Sequence, residues 1–333
     1  MDYVRFGRTG LRVSRFCLGT MGFGTSKWKG WVLDEDRTVP ILKEALDLGI
    51  NFFDMADWYS QGVNEQVVAG NLLKMTQRDR LVLATKVFYP MSDDPNDQGL
   101  SRKHILASID RSLKAMGTDY VDIYMIHAFD PNVPFEETME ALDSVVRSGK
   151  ARYLASSTQY SWQFAEMNAV AARNGWHQFV NMQCQYNLLY REEEREMIPY
   201  CRHKGIAVST FSPLARGFLT GAQNTSRTAH DIYLNFYGDA IDVEIARRVA
   251  ELAEKRGVTP GEIAMSYVVH SPHVDVSLIG ADTPDQVRIA VRATELVLSA
   301  EERTHLEAPY RPRDMINDYN EIRRPRAFAP DAA

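Results

Sequence analysis

The chain has 333 residues, 45% of them hydrophobic and 25% charged, with a formal charge of −6. That composition excludes wholesale disorder and supplies enough apolar residues for a large buried core. The acidic balance, with a pI near 5.8, leaves no basic footprint for nucleic acid or an anionic membrane, and neither is expected as a partner. The cysteines Cys17, Cys184 and Cys201 are odd in number and far apart in apolar surroundings. They predict buried thiols in a reducing compartment, with no disulfide and no metal site. No signal-peptide pattern opens the chain and no window is long enough for a membrane span, so a cytoplasmic protein is expected.

In chain order, strand-like runs alternate with helix-like ones. A first run at 15–19 is followed by a helix over 34–48, where Val39, Ile41, Leu42, Ala45, Leu46 and Leu48 recur at helical spacing before Gly49. The unit repeats as strand 50–53, helix 64–74, strand 81–85, helix 101–116, strand 121–126, helix 135–148 and strand 151–156. Gly117 and Gly149 close two of these helices. Helix 162–174, strand 179–183, helix 193–204 and strand 206–210 follow, and a last strand at 274–279 leads into helix 284–294.

Eight strands joined by helical crossovers predict an α/β fold of the closed (β/α)8 TIM-barrel type, with residues 1–333 forming one barrel domain. An open doubly wound sheet is disfavoured, because Gly19, Gly22 and Gly24 lack the spacing of a dinucleotide-binding glycine turn. Two stretches break the repeat, 24–33 with Trp28 and Trp31, and 214–240, which is rich in Gly, Thr, Asn and Tyr. Long irregular loops in a barrel are usually functional. The polar tail over 312–333 is read as a segment that folds over the barrel mouth or stays mobile.

Asp54, Tyr59, Lys86 and His127 each sit just past an apolar run, where barrel enzymes keep their chemistry. A tyrosine is a poor acid at neutral pH and needs a nearby cation to favour its phenolate. Lys86 can supply the charge, Asp54 can be its counter-ion, and His127 can orient a carbonyl oxygen. Singly, each has a bland reading: a turn aspartate, a rim aromatic, a surface lysine, a core histidine. Together at strand ends that the fold gathers into one mouth, they suit reversible reduction of a carbonyl group.

The segment Asp54-Met55-Ala56-Asp57-Trp58-Tyr59 resembles the Asp-x-Ala-x-x-Tyr segment of the aldo-keto reductases, and Thr85-Lys86 and Ile126-His127 resemble that family's later strand ends. The likeness extends from Gly7-Arg8-Thr9-Gly10-Leu11-Arg12-Val13-Ser14 through Asn181-Met182-Gln183 to Phe211-Ser212-Pro213-Leu214-Ala215-Arg216-Gly217. It implies a barrel plugged at its bottom by an N-terminal hairpin, with a nicotinamide cofactor lying across the top. Tyr59 would be the proton donor, Lys86 and Asp54 its tuning pair, and His127 the orienting group.

By the same resemblance Gly19, Thr20 and Met21 pass beneath the nicotinamide, while Ser157, Thr158 and Gln183 reach its carboxamide. Asp54 belongs to the same neighbourhood. Phe211 stacks on the nicotinamide ring, and Ser212, Leu214 and Gly217 wrap the pyrophosphate with backbone amides. The adenosine end would follow the last strand at Gly280, Asp282, Thr283, Gln286 and Arg288. Here the chain departs from the family pattern, with Asp282 in place of a basic residue and Ala290 in place of an asparagine. Asp282 would repel a 2′-phosphate yet could accept from a 2′-hydroxyl, whereas Arg288 sits where some relatives bind phosphate. NADPH is the expected cofactor, with NADH as the alternative.

Trp28, Trp31, Trp58 and Phe88, with Tyr89 beside them, are the candidates for an aromatic substrate pocket, each with core packing as its plainer reading. The expected partner is a small carbonyl or alcohol. The rival reading is a cofactor-binding regulatory protein on the same barrel, like the potassium-channel β subunits. Physiological substrate, preferred direction and oligomeric state leave no mark in the sequence.

Overall fold

The computed structural model describes residues 1–221, 234 and 236–315. Its elements are β1 (Tyr3–Arg5), β2 (Arg12–Ser14), β3 (Phe16–Gly19), α1 (Glu35–Asp47), β4 (Phe52–Asp54), α2 (Val63–Met75), β5 (Val82–Val87) and α3 (Arg102–Met116). There follow β6 (Val121–Ile126), α4 (Phe135–Arg147), β7 (Ala151–Ser157), α5 (Ser161–Arg173), β8 (Phe179–Gln185), α6 (Met197–Lys204) and β9 (Ala207–Phe211). The last are α7 (Ala240–Arg256), α8 (Pro260–Val269), β10 (Val276–Ile279), α9 (Pro284–Arg292) and α10 (Ala300–Glu307).

Strands β3 to β10 pair in parallel and close on themselves in the order β10-β3-β4-β5-β6-β7-β8-β9. This is the expected eight-stranded barrel. β1 and β2 form a separate antiparallel hairpin, and its exit residue Phe6 packs edge-on against Phe52 with ring centroids 5.7 Å apart. The hairpin thereby plugs the lumen. Gly7 makes the approach possible: its φ is +59°, and a Cβ there would lie 2.7 Å from the Ala207 nitrogen.

Two apolar clusters follow from the two-residue period of the strands. Phe6, Cys17, Phe52, Val82, Ala84, Ile123, Met125, Ala155, Ala207, Val276 and Leu278 fill the lumen. Leu18, Phe53, Leu83, Val87, Tyr124, Ile126, Met182, Val208 and Ile279 face the helices. The three cysteines are buried free thiols.

The structure adjusts several expected bounds. The second barrel strand begins at Phe52 rather than residue 50, and the last at Val276 rather than residue 274. The helix expected over 193–204 is a 3₁₀ turn, Glu192–Glu194, followed by α6. Helices α7, α8 and α10 lie where the sequence reading assigned no element. In α8 every residue from Gly261 to Val269 is buried, so no polar face marks its period. Its Thr259–Glu262 capping box is the local signal that was available. The tail is described to residue 315. Arg313 donates to Asp242 at 2.6 Å and to the Phe236 carbonyl at 3.2 Å, while its backbone N–H donates to Glu192 at 2.9 Å. Residues 316–333 and most of 222–235 lie outside the described residues.

Candidate active site

The lumen period aims the candidate residues. Phe52 faces inward, so Asp54 does too; Val82 and Ala84 place Lys86 in phase, and Ile123 and Met125 place His127. The same phase carries Gly19 above Cys17, Ser157 above Ala155, Phe211 above Ala207, and Gly280 above Val276 and Leu278. In register, Gly19 stands opposite Asp54 and Ser157 opposite Gln183. All lie at the C-terminal ends of barrel strands, around one mouth.

Within the mouth, the Lys86 Nζ donates to Asp54 Oδ2 at 2.5 Å and to the Met55 carbonyl at 2.9 Å, and it lies 3.5 Å from the Tyr59 hydroxyl. Lys86 has no exposed surface and Asp54 only 2%. Two buried opposite charges in contact keep their charges where either alone would not. Burial alone would pull the Lys86 ammonium down most strongly, but Asp54 and Tyr59 together outweigh it and hold it above the ordinary lysine value. The other Asp54 oxygen, Oδ1, accepts from Gln183 Nε2 at 3.1 Å.

Burial pushes the Tyr59 phenol above the ordinary tyrosine value; Lys86 pulls it back and Asp54 pushes it further up. The ammonium therefore acts against desolvation without reversing it. The phenol stays protonated at neutral pH, the form a proton donor needs. Tyr59 opens a 3₁₀ turn, Tyr59–Gly62, in which Ser60 and Gln61 have φ near +50°, at 50° and 53°. Such backbone costs energy and persists where its surroundings fix it. Here Thr25 N–H donates to Ser60 Oγ at 3.3 Å. Gly24 lies so close that a Cβ would come within 2.4 Å of the same oxygen.

His127 stands edge-on to Tyr59 with ring centroids 5.6 Å apart. Burial, then the Lys86 charge, hold its imidazole well below the ordinary histidine value, and its Nδ1 is buried without a hydrogen-bond partner. It is a neutral ring. Tyr89 packs against His127 at 4.8 Å and against Trp58 at 4.9 Å, and Trp58 meets Trp28 at 5.0 Å. Phe88 packs on Tyr89 at 5.2 Å and otherwise against the helix-side core. Phe88 therefore adjoins the ring chain through Tyr89, and Trp31 joins Trp28 and Trp58 around Lys29.

The remaining candidates surround this centre. Thr20 donates to the Asp54 carbonyl at 2.8 Å and is held by Asn64, with Met21 partly buried beside it. Ser157 and Thr158 share a hydroxyl contact of 3.1 Å. Ser212, Ala215 and Arg216 have left-handed backbone, with φ of 57°, 48° and 59°. These three non-glycine residues, with Gly217 at φ 97°, give the segment after β9 a run of sharp turns. At the far end Thr283 caps α9. Asp282 N–H donates to Gln286 Oε1 at 2.6 Å. Arg288 is engaged by Glu44 at 2.6 Å and by Asp285.

Two features went unread in the sequence. Lys29 lies over three indoles, 4.3 Å from Trp28, 5.0 Å from Trp58 and 5.7 Å from Trp31; the signal was a lysine set between tryptophans in an irregular loop. The other is a buried acidic pair, Asp57 and Glu65. Asp57 accepts from Ser108 at 2.7 Å and Glu65 from Thr85. Nothing in spacing distinguishes these from solvated carboxylates.

The chain matches the aldo/keto reductase family over residues 15–310. It is 38% identical to a versiconal hemiacetal acetate reductase of Aspergillus parasiticus, the alignment covering 94% of this chain and 98% of the relative. It is 39% identical to a putative aryl-alcohol dehydrogenase of Schizosaccharomyces pombe, with 93% and 96% covered. It is also 38% identical to an aldo-keto reductase of Metarhizium robertsii, with 94% and 92% covered. With the closed barrel and its N-terminal hairpin, these likenesses establish that the chain belongs to the aldo/keto reductase family of oxidoreductases.

Proposed function

We propose that this protein reversibly reduces an aldehyde or ketone to an alcohol, with a nicotinamide dinucleotide as the second substrate and Tyr59 as proton donor. The observation that carries the reading is the buried Asp54–Lys86–Tyr59 chain, with Nζ 2.5 Å from the carboxylate and 3.5 Å from the phenol. When bound, the nicotinamide supplies the hydride. Left-handed backbone at Ser212, Ala215 and Arg216, together with open space beside Gly217 and Gly280, supports a place for such a group.

As the carbonyl oxygen gains charge, Tyr59 hands it the phenolic proton, and the Lys86 ammonium stabilises the phenolate left behind. Asp54 and the Met55 carbonyl fix Nζ in place. The neutral His127 ring orients the carbonyl oxygen by hydrogen bonding, since a protonated ring beside Lys86 would be repelled. Solvent then reprotonates Tyr59. The Trp28, Trp58 and Tyr89 rings pack in succession from His127, and such an aromatic surface beside the reacting groups favours an aromatic substrate. A putative aryl-alcohol dehydrogenase among the relatives points the same way.

The test is turnover of an aldehyde panel with NADPH and with NADH, alongside fluorescence titration of both nucleotides. Tyr59→Phe is expected to lower kcat at least ~100-fold, the scale of a lost general acid, while nucleotide binding persists. Binding without turnover in the unaltered protein would favour a regulatory role, and absence of binding would refute the reading altogether.

A further inference from the structure

The exit of strand β8 reaches across to the turn that follows β9. Tyr186 N–H donates to the Phe211 carbonyl at 3.3 Å, and one residue further on the Asn187 side-chain amide donates to the Ser212 carbonyl at 2.9 Å. The same carbonyl accepts from the Ala215 N–H at 2.9 Å, which closes the turn. Left-handed backbone at Ser212, Ala215 and Arg216 costs energy and persists only where its surroundings over-determine it. Asn187, which has no exposed surface, supplies such a constraint from another strand.

The Asn187 amide has one orientation. Its Nδ2 also donates to the Tyr237 hydroxyl at 3.2 Å, its Oδ1 accepts from the Leu189 N–H at 2.8 Å, and its backbone exchanges two bonds of 3.1 Å with Tyr190. A flipped amide would set oxygen against the Ser212 carbonyl oxygen. Tyr237 is itself buried, and its hydroxyl also accepts from Gln185. Both neighbours of Tyr237 are pinned: the Phe236 carbonyl accepts from Arg313 at 3.2 Å, and Gly238 N–H donates at 2.9 Å to Asp242, whose other oxygen takes Arg313 at 2.6 Å. A fixed phenol thus backs a fixed amide, and the amide holds the turn.

We infer that Asn187 and Tyr237 are positioning residues for the dinucleotide, holding the turn over 212–217 in the shape that receives it. This rests on the carbonyl-reduction reading above and deepens it by naming what keeps the nucleotide side of the site in order. Asn187 is engaged within the protein through both amide atoms and acts through the Ser212 carbonyl. Its loss is therefore expected in nucleotide KM rather than in kcat.

Fluorescence titration with NADPH and with NADH, followed by steady-state kinetics with an aldehyde, compares the unaltered protein with Asn187→Ala and Tyr237→Phe. Asn187→Ala is expected to weaken the preferred nucleotide about tenfold, equivalent to about 1.4 kcal/mol, and Tyr237→Phe, which keeps the ring, about threefold. Nucleotide KM should rise in step, while kcat at saturating nucleotide does not fall and carbonyl KM stays within about twofold. Unchanged nucleotide affinity in either folded variant, or a loss that falls equally on kcat and carbonyl KM, would overturn the inference and leave the pair as packing. Should Asn187→Ala fail to fold, Tyr237→Phe decides alone by the same readings. Where nucleotide binds without turnover, the titrations decide. Failure of the parent reading looks different: the unaltered protein then binds neither nucleotide, and the inference falls with it.

Discussion

Two sets of buried carboxylates flank strand β5, and only one of them has a cation in hydrogen-bonding contact among the described residues. On the lumen side Asp54 grips Lys86 at 2.5 Å. On the helix side Thr85 meets Glu65, and Asp57, whose N–H donates to the Lys86 carbonyl at 3.2 Å, accepts from the Ser108 hydroxyl and from the Trp58 backbone N–H. Burial pushes Asp57 up to about 8 and Glu65 to about 7. The Lys86 ammonium stays charged, while at neutral pH Asp57 keeps its proton and Glu65 stands near its midpoint. Adjacent residues on one strand thus face one ion pair and one seam of carboxyls with raised values, and the difference is whether a counter-ion is within hydrogen-bonding reach.

Breaking the lumen pair should have the largest effect on stability. Lys86→Met leaves the Asp54 carboxylate buried and uncompensated, which is expected to cost ~3–5 kcal/mol in denaturant unfolding. A loss under ~1 kcal/mol would mean that water reaches the pair and that the contrast with Asp57 is false.

The helix-side seam should make stability depend on pH. A carboxyl whose folded value lies above its unfolded one contributes stability fully below the unfolded value, about 4, and loses it as pH rises through the folded value. For Asp57 that window runs from 3.8 to about 8. Wild-type stability should therefore fall across it. Asp57→Asn, which can still accept from Ser108, should flatten the fall and gain at least ~1 kcal/mol over the wild type at its alkaline end. Parallel Tm curves for the two proteins would show Asp57 to be solvated and ionised throughout.

The smallest effect belongs to the exposed residues around Asp282, where the proposed reading puts the adenosine and where Arg288 is shared by Glu44 and Asp285. Asp282→Arg should tighten NADPH relative to NADH by roughly three- to tenfold, the scale of a surface charge contact. Titrations that leave the preference unchanged would move Asp282 away from the 2′ position.

The barrel was legible because eight short apolar runs, buried on both faces, alternate with helical patterns, and the two-residue period of the strand backbone then aims Asp54, Lys86 and His127 into one mouth. Helix α8 was hidden by the opposite circumstance, burial on all sides, which erases the polar face that marks a helix. Lys29 and the Asp57–Glu65 seam were hidden because their surroundings come from distant segments: Trp58 for the lysine, Ser108 and Thr85 for the carboxylates. Local pattern reports which way a side chain points, and only packing reports whom it meets. Burial of Tyr59 likewise reversed a simple expectation, since desolvation outweighs the neighbouring ammonium in setting the phenol.

The central claim is that the Lys86 ammonium eases ionisation of a Tyr59 phenol that burial keeps protonated. Tyrosine ring-carbon NMR titration, with Tyr59→Phe used to assign the resonance, measures this in wild type and Lys86→Met. The account predicts that wild-type Tyr59 titrates above the ordinary tyrosine value and that loss of Lys86 moves it higher still. A Tyr59 that ionises at the same pH in both proteins would contradict it.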